Sequence, residues 1–390
     1  MPADLTATAV PSFYLPPQPL PRASPGTIIR AEKVVGVPGG PTGTTLWRIL
    51  YHSRSIYGAD IAESGYAVAP DGPAPPGGRP LLSWAHGTVG YAGICALSVF
   101  STHGGGVYFV PGLADFIRAG FVVAAADYEG LGTPGLHPYL VGESEGRAVL
   151  DAARAARRLP GVVTSSTVIV YGHSEGGHAA LFAGEIARRY APDLHIAGVV
   201  AAAPVTGLPT LLTVATSPGG QRILDITMPA AYTWVRTYRD LPSAALLTPT
   251  GARVAASVVP AGCQGAVETA IADQHLTPAE IFVPHATTNP VVMAHARLND
   301  PGRRATEAPM LVVQGTADIT VPVAFTDAYV TTKACPIGDR IDYEHVAGAT
   351  HTTVLFAGIA TIDEWMAARL RGAPAPSTCG QPGGAATLFP

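Results

Sequence analysis

Alternation of strand-like and helix-like segments constrains the fold of this chain more than any other sequence feature. Residues 121–126 form a continuous apolar run, as expected for a strand covered on both faces, and residues 144–159 follow with apolar positions at helical spacing. A strand at 167–172, a helix at 176–190 and a strand at 196–203 continue the pattern. Such alternation builds βαβ units, so we predict an α/β fold with a mainly parallel sheet and helices on both faces.

The alternation is interrupted by residues 205–306 and then resumes. Beyond the interruption, we predict strands at 310–314 and 341–346, each followed by a helix, at 322–332 and 354–371. Earlier strands, between Gly- and Pro-rich turns, are predicted at 27–35, 44–53 and 80–85. Because both flanks of the interruption belong to one sheet, we predict a core formed by 1–204 and 307–390, with a cap inserted at 205–306. The core begins with a Pro-rich arm, 1–26.

Composition excludes several function classes. Only 13% of the 390 residues are charged, 47% are hydrophobic and the net charge is -4, so the chain is neither disordered nor basic enough to bind nucleic-acid phosphates. The most apolar window, 195–212, is broken by Pro204 and Pro209, and we predict no transmembrane span. Residues 1–21 lack the basic and apolar regions of a signal peptide, so either the chain stays inside the cell or a signal has been removed before Met1.

The four cysteines are Cys95, Cys263, Cys335 and Cys379. No C-x-x-C spacing occurs among them, so we expect no metal site. Free buried thiols and two disulfides both fit the count, and three pairings are open.

The pattern G-x-S-x-G occurs twice, at 172–176 and at 142–146. A nucleophile elbow needs a strand, a tight turn and a helix, with small residues around the serine. Ser174 meets these demands because it follows the strand at 167–172 and precedes Gly176. Ser144 lacks a preceding strand, and its two carboxylate neighbours would oppose an oxyanion. We therefore predict Ser174 as the nucleophile and Ser144 as part of a helix N-terminus.

A serine nucleophile needs a base and an acid that orients the base. Asp318 follows the predicted strand 310–314, and His351 follows the strand 341–346, in the order Ser, Asp, His that this fold uses. We predict Asp318 as the acid and His351 as the base. The rival His345 lies within a strand, and His173 and His178 are expected to be structural.

An oxyanion hole needs two backbone N–H donors. We assign one to Glu175, the residue after the nucleophile. The other is assigned to Thr88, with Gly87 as the next candidate, in the loop after the predicted strand 80–85.

Together these segments resemble the secretory lipase family of α/β-hydrolases, which includes a yeast lipase A, and bacterial members most closely. Besides the Ser174, Asp318 and His351 segments, the matching positions are Phe13-Tyr14, Pro16-Pro17, 26–30, Trp84-Ala85-His86-Gly87-Thr88, Cys95, Ala126-Asp127-Tyr128-Glu129-Gly130 and 150–155. The resemblance implies esterase or lipase activity, no cofactor, a mostly helical cap and export, with the chain secreted or held in the cell envelope. It also implies the disulfides Cys95–Cys263 and Cys335–Cys379.

The chain departs from the family at two places. Ala96-Leu97-Ser98 follows Cys95 where the family usually has a proline before the serine, and Glu175 replaces a glycine of the yeast enzyme. A carboxylate beside an oxyanion is unfavourable, so we expect the Glu175 side chain to point away or be paired. The acidic residues that do match, Asp127, Glu129 and Asp151, are expected to hold the loop beneath the elbow.

The predicted function is hydrolysis of uncharged, largely apolar carboxylic esters through an acyl-enzyme. Some bulky cap residues should line the acyl pocket; the candidates are Tyr232, Trp234 and Tyr238. The expected partner is a small or lipid-like ester, with at most transient contact with a lipid interface. An acyltransferase would use the same residues. An amidase or peptidase would want a carboxylate cluster, which the dispersed Glu268, Asp273 and Glu280 do not provide. A silent binding module would normally have lost part of the triad.

Overall fold

The structure is a computed structural model that describes residues 10–34, 40–102 and 110–380. Residues 1–9 of the predicted arm and Val35, the last residue of the strand predicted at 27–35, lie outside these ranges. The side chains of 100–102 are also outside the description.

Nine strands of the described residues form one sheet. They are β1 (Ile28–Val34), β2 (Thr44–Arg54), β3 (Asp60–Pro70), β4 (Arg79–Ala85), β5 (Val122–Ala126), β6 (Thr164–His173), β7 (His195–Ala202), β8 (Met310–Gly315) and β9 (Ile341–Val346). Their spatial order is β1-β2-β3-β5-β4-β6-β7-β8-β9. The pairs from β1 to β5 along this order are antiparallel, and all pairs from β5 to β9 are parallel. This confirms the predicted mainly parallel sheet.

Thirteen α-helices surround the sheet in the described part of the chain. They are α1 (Leu97–Thr102), α2 (Leu113–Arg118), α3 (Gly142–Ala156), α4 (Glu175–Tyr190), α5 (Leu208–Ala215), α6 (Leu224–Thr237), α7 (Pro249–Val258), α8 (Gln264–Asp273), α9 (Pro278–Ile281), α10 (Pro290–Leu298), α11 (Val323–Tyr329), α12 (Val354–Ala357) and α13 (Ile359–Leu370). Shorter 3₁₀ segments are Ser12–Tyr14, Gly93–Cys95, Pro218–Ile223, Ser243–Ala245, Val259–Ala261 and Ala286–Thr288, and Val330–Ala334 is a π-helical turn.

Both faces of the sheet are buried. In β6, Val168 and Val170 pack in the cluster that contains residues of α3 and α4, while Ile169 and Tyr171 point to the opposite cluster with residues of α2 and α13. Successive side chains of a strand point to opposite faces, so a strand buried on both sides must be apolar throughout. The continuous apolar runs in the sequence arise from this arrangement.

Strand β3 was not predicted, because polar residues interrupt it. Its Glu63 and Ser64 are fully buried, and the Ser64 hydroxyl donates to Asp127 Oδ2 at 2.6 Å. A Cβ on Gly65 would lie 2.3 Å from the Ala125 carbonyl oxygen. The strand therefore contains the groups that a sequence pattern normally assigns to a loop. Helices α1 and α2 were also not predicted.

The residues between β7 and β8, 203–309, are mainly helical, and we call them the helical insertion. Its helices α5 to α10 enclose an apolar cluster of their own, which includes Met228 and Phe282. The same cluster includes Tyr139, Leu140 and Val141 from the loop that precedes α3. The insertion therefore packs on the core through that loop.

No helix in the part of the chain that the structure describes combines the length and apolar character needed to cross a membrane.

Two disulfide bonds join distant segments. Cys95–Cys263 connects the segment after β4 to the helical insertion, across 168 positions of sequence. Cys335–Cys379 connects the end of the π-helical turn to the C-terminal segment, across 44 positions. These are the pairings that the family resemblance implies.

Backbone hydrogen bonds reinforce the first disulfide. The Tyr91 N–H donates to the Gly262 carbonyl at 3.1 Å, and the Gln264 N–H donates to the Val89 carbonyl at 3.1 Å. The insertion is thus fastened directly beside Thr88.

We predict that removing Cys95–Cys263 with the double substitution Cys95→Ala/Cys263→Ala lowers the free energy of unfolding by about 2–5 kcal/mol, because the unfolded chain gains the freedom of a long loop. Equilibrium denaturation measures this loss. The double substitution Cys335→Ala/Cys379→Ala is the control, and its loss should be about 1 kcal/mol smaller because its loop is shorter. A larger loss in the control would contradict the prediction.

Candidate active site

The turn between β6 and α4 holds the candidate nucleophile. β6 ends at His173 and α4 begins at Glu175, so Ser174 forms the turn by itself, with φ 57° and ψ -119°. A side chain at such a φ costs on the order of 1–3 kcal/mol and persists only where the surroundings impose it. This is the geometry of a nucleophile elbow, which lifts the hydroxyl above the edge of the sheet.

Close backbone contacts impose the turn. A Cβ on Gly172 would lie 1.9 Å from the Gly176 carbonyl oxygen, and a Cβ on Gly176 would lie 1.9 Å from the Ala85 carbonyl oxygen. Side chains cannot occupy either position, so strand β4, strand β6 and helix α4 meet backbone to backbone. The two glycines of the pattern are therefore required by packing around Ser174.

Three side chains from different loops form a continuous hydrogen-bonded chain. His351 Nε2 lies 2.8 Å from Ser174 Oγ, and His351 Nδ1 lies 2.7 Å from Asp318 Oδ2. A carboxylate only accepts, so Nδ1 carries the proton and the Nε2 lone pair faces the serine hydroxyl. The structure brings together the residues predicted as nucleophile, base and acid.

Backbone and side-chain donors fix the Asp318 carboxylate. Oδ1 accepts from the N–H groups of Thr320 at 2.9 Å and Val321 at 2.8 Å. Oδ2 accepts from Gln314 Nε2 at 3.0 Å as well as from His351. With Asp318 buried, these donors leave its carboxylate one orientation, which aims Oδ2 at the imidazole.

His173 supports the loop that holds the candidate base. Its Nε2 donates to the His351 carbonyl at 2.8 Å, and the two rings lie 4.7 Å apart. Burial, together with the neighbouring His351, lowers the pKa of His173 to about 3. A neutral His173 adds no positive charge beside the base, in agreement with the predicted structural role.

The two predicted oxyanion donors are Glu175, directly after Ser174, and Thr88, whose neighbour Gly87 lies close to Ser174. The Ser174 carbonyl accepts the N–H of His178 at 3.0 Å, so Glu175 occupies the first helical position, whose N–H has no acceptor within the helix. In the loop after β4, a Cβ on Gly87 would lie 3.5 Å from Ser174 Cβ. The adjoining Thr88 is held through its Oγ1, 2.8 Å from the Tyr139 hydroxyl.

The Glu175 side chain is buried and paired. Its Oε1 lies 2.8 Å from His137 Nε2, and only 1% of the residue is exposed. A second buried pair lies beside it, with His178 Nδ1 2.7 Å from Glu145 Oε2. The expectation that the Glu175 carboxylate is paired agrees with this contact.

These buried groups have the composition of a metal site. The nearest ligand atoms of His137, Glu145 and Glu175 lie within 4.8 Å of one another. His137, however, is already in contact with two acceptors: its Nε2 lies 2.8 Å from Glu175 Oε1 and its Nδ1 lies 3.1 Å from the Glu129 carbonyl oxygen. A metal ion would have to displace a ring proton from one of these contacts, so the donor set fits a hydrogen-bonded ion pair better than a metal ion.

The rejected candidates have structural partners. Ser144 donates to Glu129 Oε2 at 2.6 Å in the first turn of α3. His345, within β9, lies 2.9 Å from Asp327 Oδ1. Both residues are satisfied away from Ser174.

The matched acidic residues bind their neighbours as expected for a structural role. Asp127 Oδ1 accepts from the Ser98 N–H at 2.9 Å, and its Oδ2 accepts from the Ser64 hydroxyl at 2.6 Å. Asp151 accepts from Ser53 at 2.9 Å and from Tyr190 at 2.6 Å.

The three aromatic residues predicted for an acyl pocket lie at different places. Trp234 lines an apolar cavity of about 30 Å³ in the helical insertion, and its Nε1 donates to the Tyr139 carbonyl at 3.0 Å. Tyr238 lines a separate cavity of about 300 Å³ that includes none of the triad residues. Tyr232 is buried beneath the Arg236 guanidinium, which lies 5.2 Å from its ring centre. Among the hydrogen bonds of the described residues, Trp234 is the one of these three aromatic residues that is bonded to Tyr139, the residue in contact with Thr88.

Sequence reasoning missed His137 and Tyr139. Both lie in the loop between β5 and α3, with no motif around them. The charged residue after the nucleophile was the available signal, because a buried carboxylate requires a partner.

Comparison with known proteins agrees with the fold. The closed state of Candida antarctica lipase A superposes with a TM-score of 0.78 at 20% identity, covering 92% of this chain and 85% of that one. The rice cell wall degrading esterase LipA from Xanthomonas oryzae gives a TM-score of 0.70 at 20% identity, over 88% and 96% of the two chains. The fold is therefore that of the α/β-hydrolases.

Within that class, the resemblance to the secretory lipases is confirmed. The secretory lipase family model matches residues 108–220. Lipase A of Arthroderma benhamiae is 25% identical over 94% of this chain and 80% of its own length. A probable inactive lipase of Mycobacterium tuberculosis is 29% identical over 50% of this chain, and lipase A of Moesziomyces aphidis is 26% identical over 48%. These two matches span less than half of each relative, 45% and 41%.

We predict that Gly176→Ala lowers the free energy of unfolding by about 3 kcal/mol or more, because the new methyl group meets the Ala85 carbonyl and the backbone must shift. Denaturant titration measures the loss. Gly265→Ala in α8 is the matched control: no atom lies within 4 Å of its added methyl group, so the variant should be equally or slightly more stable. Similar stability of the two variants would show that the turn is not closely packed.

Proposed function

We propose that the protein is a serine hydrolase that cleaves carboxylic esters, of the lipase or esterase kind. The observation that supports this most directly is the chain of contacts from Asp318 through His351 to Ser174, at 2.7 Å and 2.8 Å. The relation to the secretory lipases supports the ester bond as the target.

In the first half of the proposed reaction, Ser174 Oγ attacks the ester carbonyl carbon while His351 Nε2 takes the serine proton. Asp318 orients the imidazole and stabilises its positive charge. The N–H groups of Glu175 and Thr88 donate to the carbonyl oxygen as it becomes an oxyanion. His351 then gives the proton to the leaving alcohol, and the acyl group stays on the serine.

In the second half, water attacks the acyl-enzyme. His351 Nε2 takes a proton from the water, the same N–H donors stabilise the second oxyanion, and the proton returns to Ser174 as the acid product leaves. Proton and acyl transfer thus need no group beyond the described side chains and water.

We further propose that residues 205–306 form a cap over this site, on a core of 1–204 and 307–390. The apolar cavity of about 30 Å³ beside Trp234 is lined by Leu208, Leu211 and Leu212, which suits an uncharged acyl chain. Its volume holds about one water molecule, so a longer acyl chain requires the insertion to move.

A secreted or envelope location is proposed on two grounds. Disulfides persist in oxidising compartments, and the structure has two. A Malassezia globosa relative, 23% identical over 95% of this chain, is named a secreted triacylglycerol lipase.

A catalytically silent protein is the second candidate, because the Mycobacterium tuberculosis relative is named a probable inactive lipase. Silent members of a fold normally lose a catalytic group or its alignment. The geometry around Ser174 argues against this candidate, since Ser174, His351 and Asp318 are all present and in hydrogen-bond contact.

We predict that Ser174→Ala lowers kcat for p-nitrophenyl esters about 10⁶-fold. Asp318→Asn should lower kcat about 10⁴-fold, because the imidazole tautomer is no longer fixed. A p-nitroanilide measured beside the esters distinguishes an amidase from an esterase. A series of p-nitrophenyl esters of different acyl chain length shows which acyl groups the protein prefers.

His345→Asn is the control, because His345 was the rival candidate for the base. Its kcat should stay within about two-fold of the original, since His345 pairs with Asp327 away from Ser174. Ester hydrolysis at close to the original rate in Ser174→Ala would refute the proposed function.

A further inference from the structure

The residue after the nucleophile presents an electrostatic conflict. The Glu175 N–H is the proposed donor to the oxyanion, yet the same residue has a carboxylate that is 1% exposed. Water cannot screen a charge at that depth, and a negative charge beside a developing oxyanion opposes the reaction. Some group in the fold must compensate this charge.

The hydrogen-bond geometry identifies that group as His137. Its Nε2 lies 2.8 Å from Glu175 Oε1, and its Nδ1 lies 3.1 Å from the Glu129 carbonyl oxygen. A carbonyl and a carboxylate both accept, so both ring nitrogens must donate, which only the imidazolium can do. Burial lowers the pKa of His137, but the hydrogen bond and charge of Glu175, with the charge of Glu145, outweigh burial and raise it above its ordinary value.

A second pair keeps Glu145 from competing for His137. His178 Nδ1 lies 2.7 Å from Glu145 Oε2, and its Nε2 lies 2.7 Å from the Asn299 carbonyl oxygen. Here too both partners accept, so His178 supplies its own positive charge, and its pKa is likewise raised by Glu145 against the effect of burial. Two carboxylates are thus matched by two imidazolium rings.

His137 also contacts the residues that hold the other side of the oxyanion hole. Its ring stacks on Tyr128 at 5.5 Å and meets Tyr139 edge-on at 5.9 Å. The Tyr128 hydroxyl donates to the His86 carbonyl at 2.8 Å, and the Tyr139 hydroxyl lies 2.8 Å from Thr88 Oγ1. The same ring therefore pairs with Glu175 and contacts two residues that hold the loop of Thr88.

We propose that His137 is a positioning residue for the oxyanion hole: its imidazolium cancels the charge of Glu175, and its ring, through Tyr128 and Tyr139, holds the loop of Thr88. This inference rests on the proposed ester hydrolysis. It explains how a buried carboxylate is tolerated in the residue whose N–H is the proposed donor to the oxyanion.

A double-mutant cycle tests the inference with His137→Gln, Glu175→Gln and both together. His137→Gln leaves Glu175 uncompensated, so kcat and kcat/KM should both fall ten-fold or more with KM little changed, as for an interaction made in the transition state. Glu175→Gln alone should leave kcat within about two- to five-fold of the original, because the carboxylate that needs compensation is itself removed.

The distinctive result is expected in the double variant. Glu175→Gln should raise kcat at least ten-fold when it is added to His137→Gln, since the amide pair is neutral. The same substitution thus has little effect in the original background and raises activity in the His137→Gln background. A merely structural role of His137 would leave the double variant as impaired as His137→Gln alone.

Two further measurements keep failure of the inference distinct from failure of the proposed function. Thermal unfolding of each variant checks that it is folded, and His295→Gln, which alters the remote pair with Asp240, serves as the control for loss of a buried histidine.

If His137→Gln does not fold, the double variant is compared with Glu175→Gln alone, and the kcat values of these two variants should agree within about five-fold. Unchanged kcat in folded His137→Gln, or a double variant ten-fold below Glu175→Gln, would overturn the inference; an original protein with no ester hydrolysis would instead refute the proposed function.

Discussion

The backbone contact between strand β4 and the start of helix α4 is the constraint on which the rest of the site depends. With Gly176 against the Ala85 carbonyl, helix α4 begins directly over the sheet, and Ser174 is forced to a positive φ. The same contact places the loop after β4 beside the nucleophile. The proposed oxyanion donors and the attacking oxygen therefore owe their positions to one close approach.

Burial of charge is the second consequence of this packing. Few residues of the chain are charged, 13%, yet Glu145 and Glu175 lie fully inside beneath the elbow. Each is satisfied by a histidine whose other nitrogen faces a carbonyl oxygen. The low charge content reflects a sheet buried on both faces, and the two buried glutamates beneath the elbow are each paired with a histidine.

Sequence patterns predicted the parallel half of the fold well, because strands such as β6 are apolar along their whole length. Strand β3 was missed because Glu63, Ser64 and Gly65 resemble a loop until Asp127 and Ala125 are placed beside them. The residues Ser174, Asp318 and His351 could be proposed from their order along the chain. His137 and Tyr139 could not, since their role depends on contacts with residues 38 and 51 positions away.

The most direct measurement of the central claim is reaction of the folded protein with a fluorophosphonate, followed by mass spectrometry of its peptides. Phosphonylation requires a serine activated by a base and a formed oxyanion hole. We predict one phosphonyl group per chain, located on Ser174. A chain that stays unlabelled, or one labelled on Ser144 with Ser174 unmodified, would show that Ser174 is not the activated nucleophile.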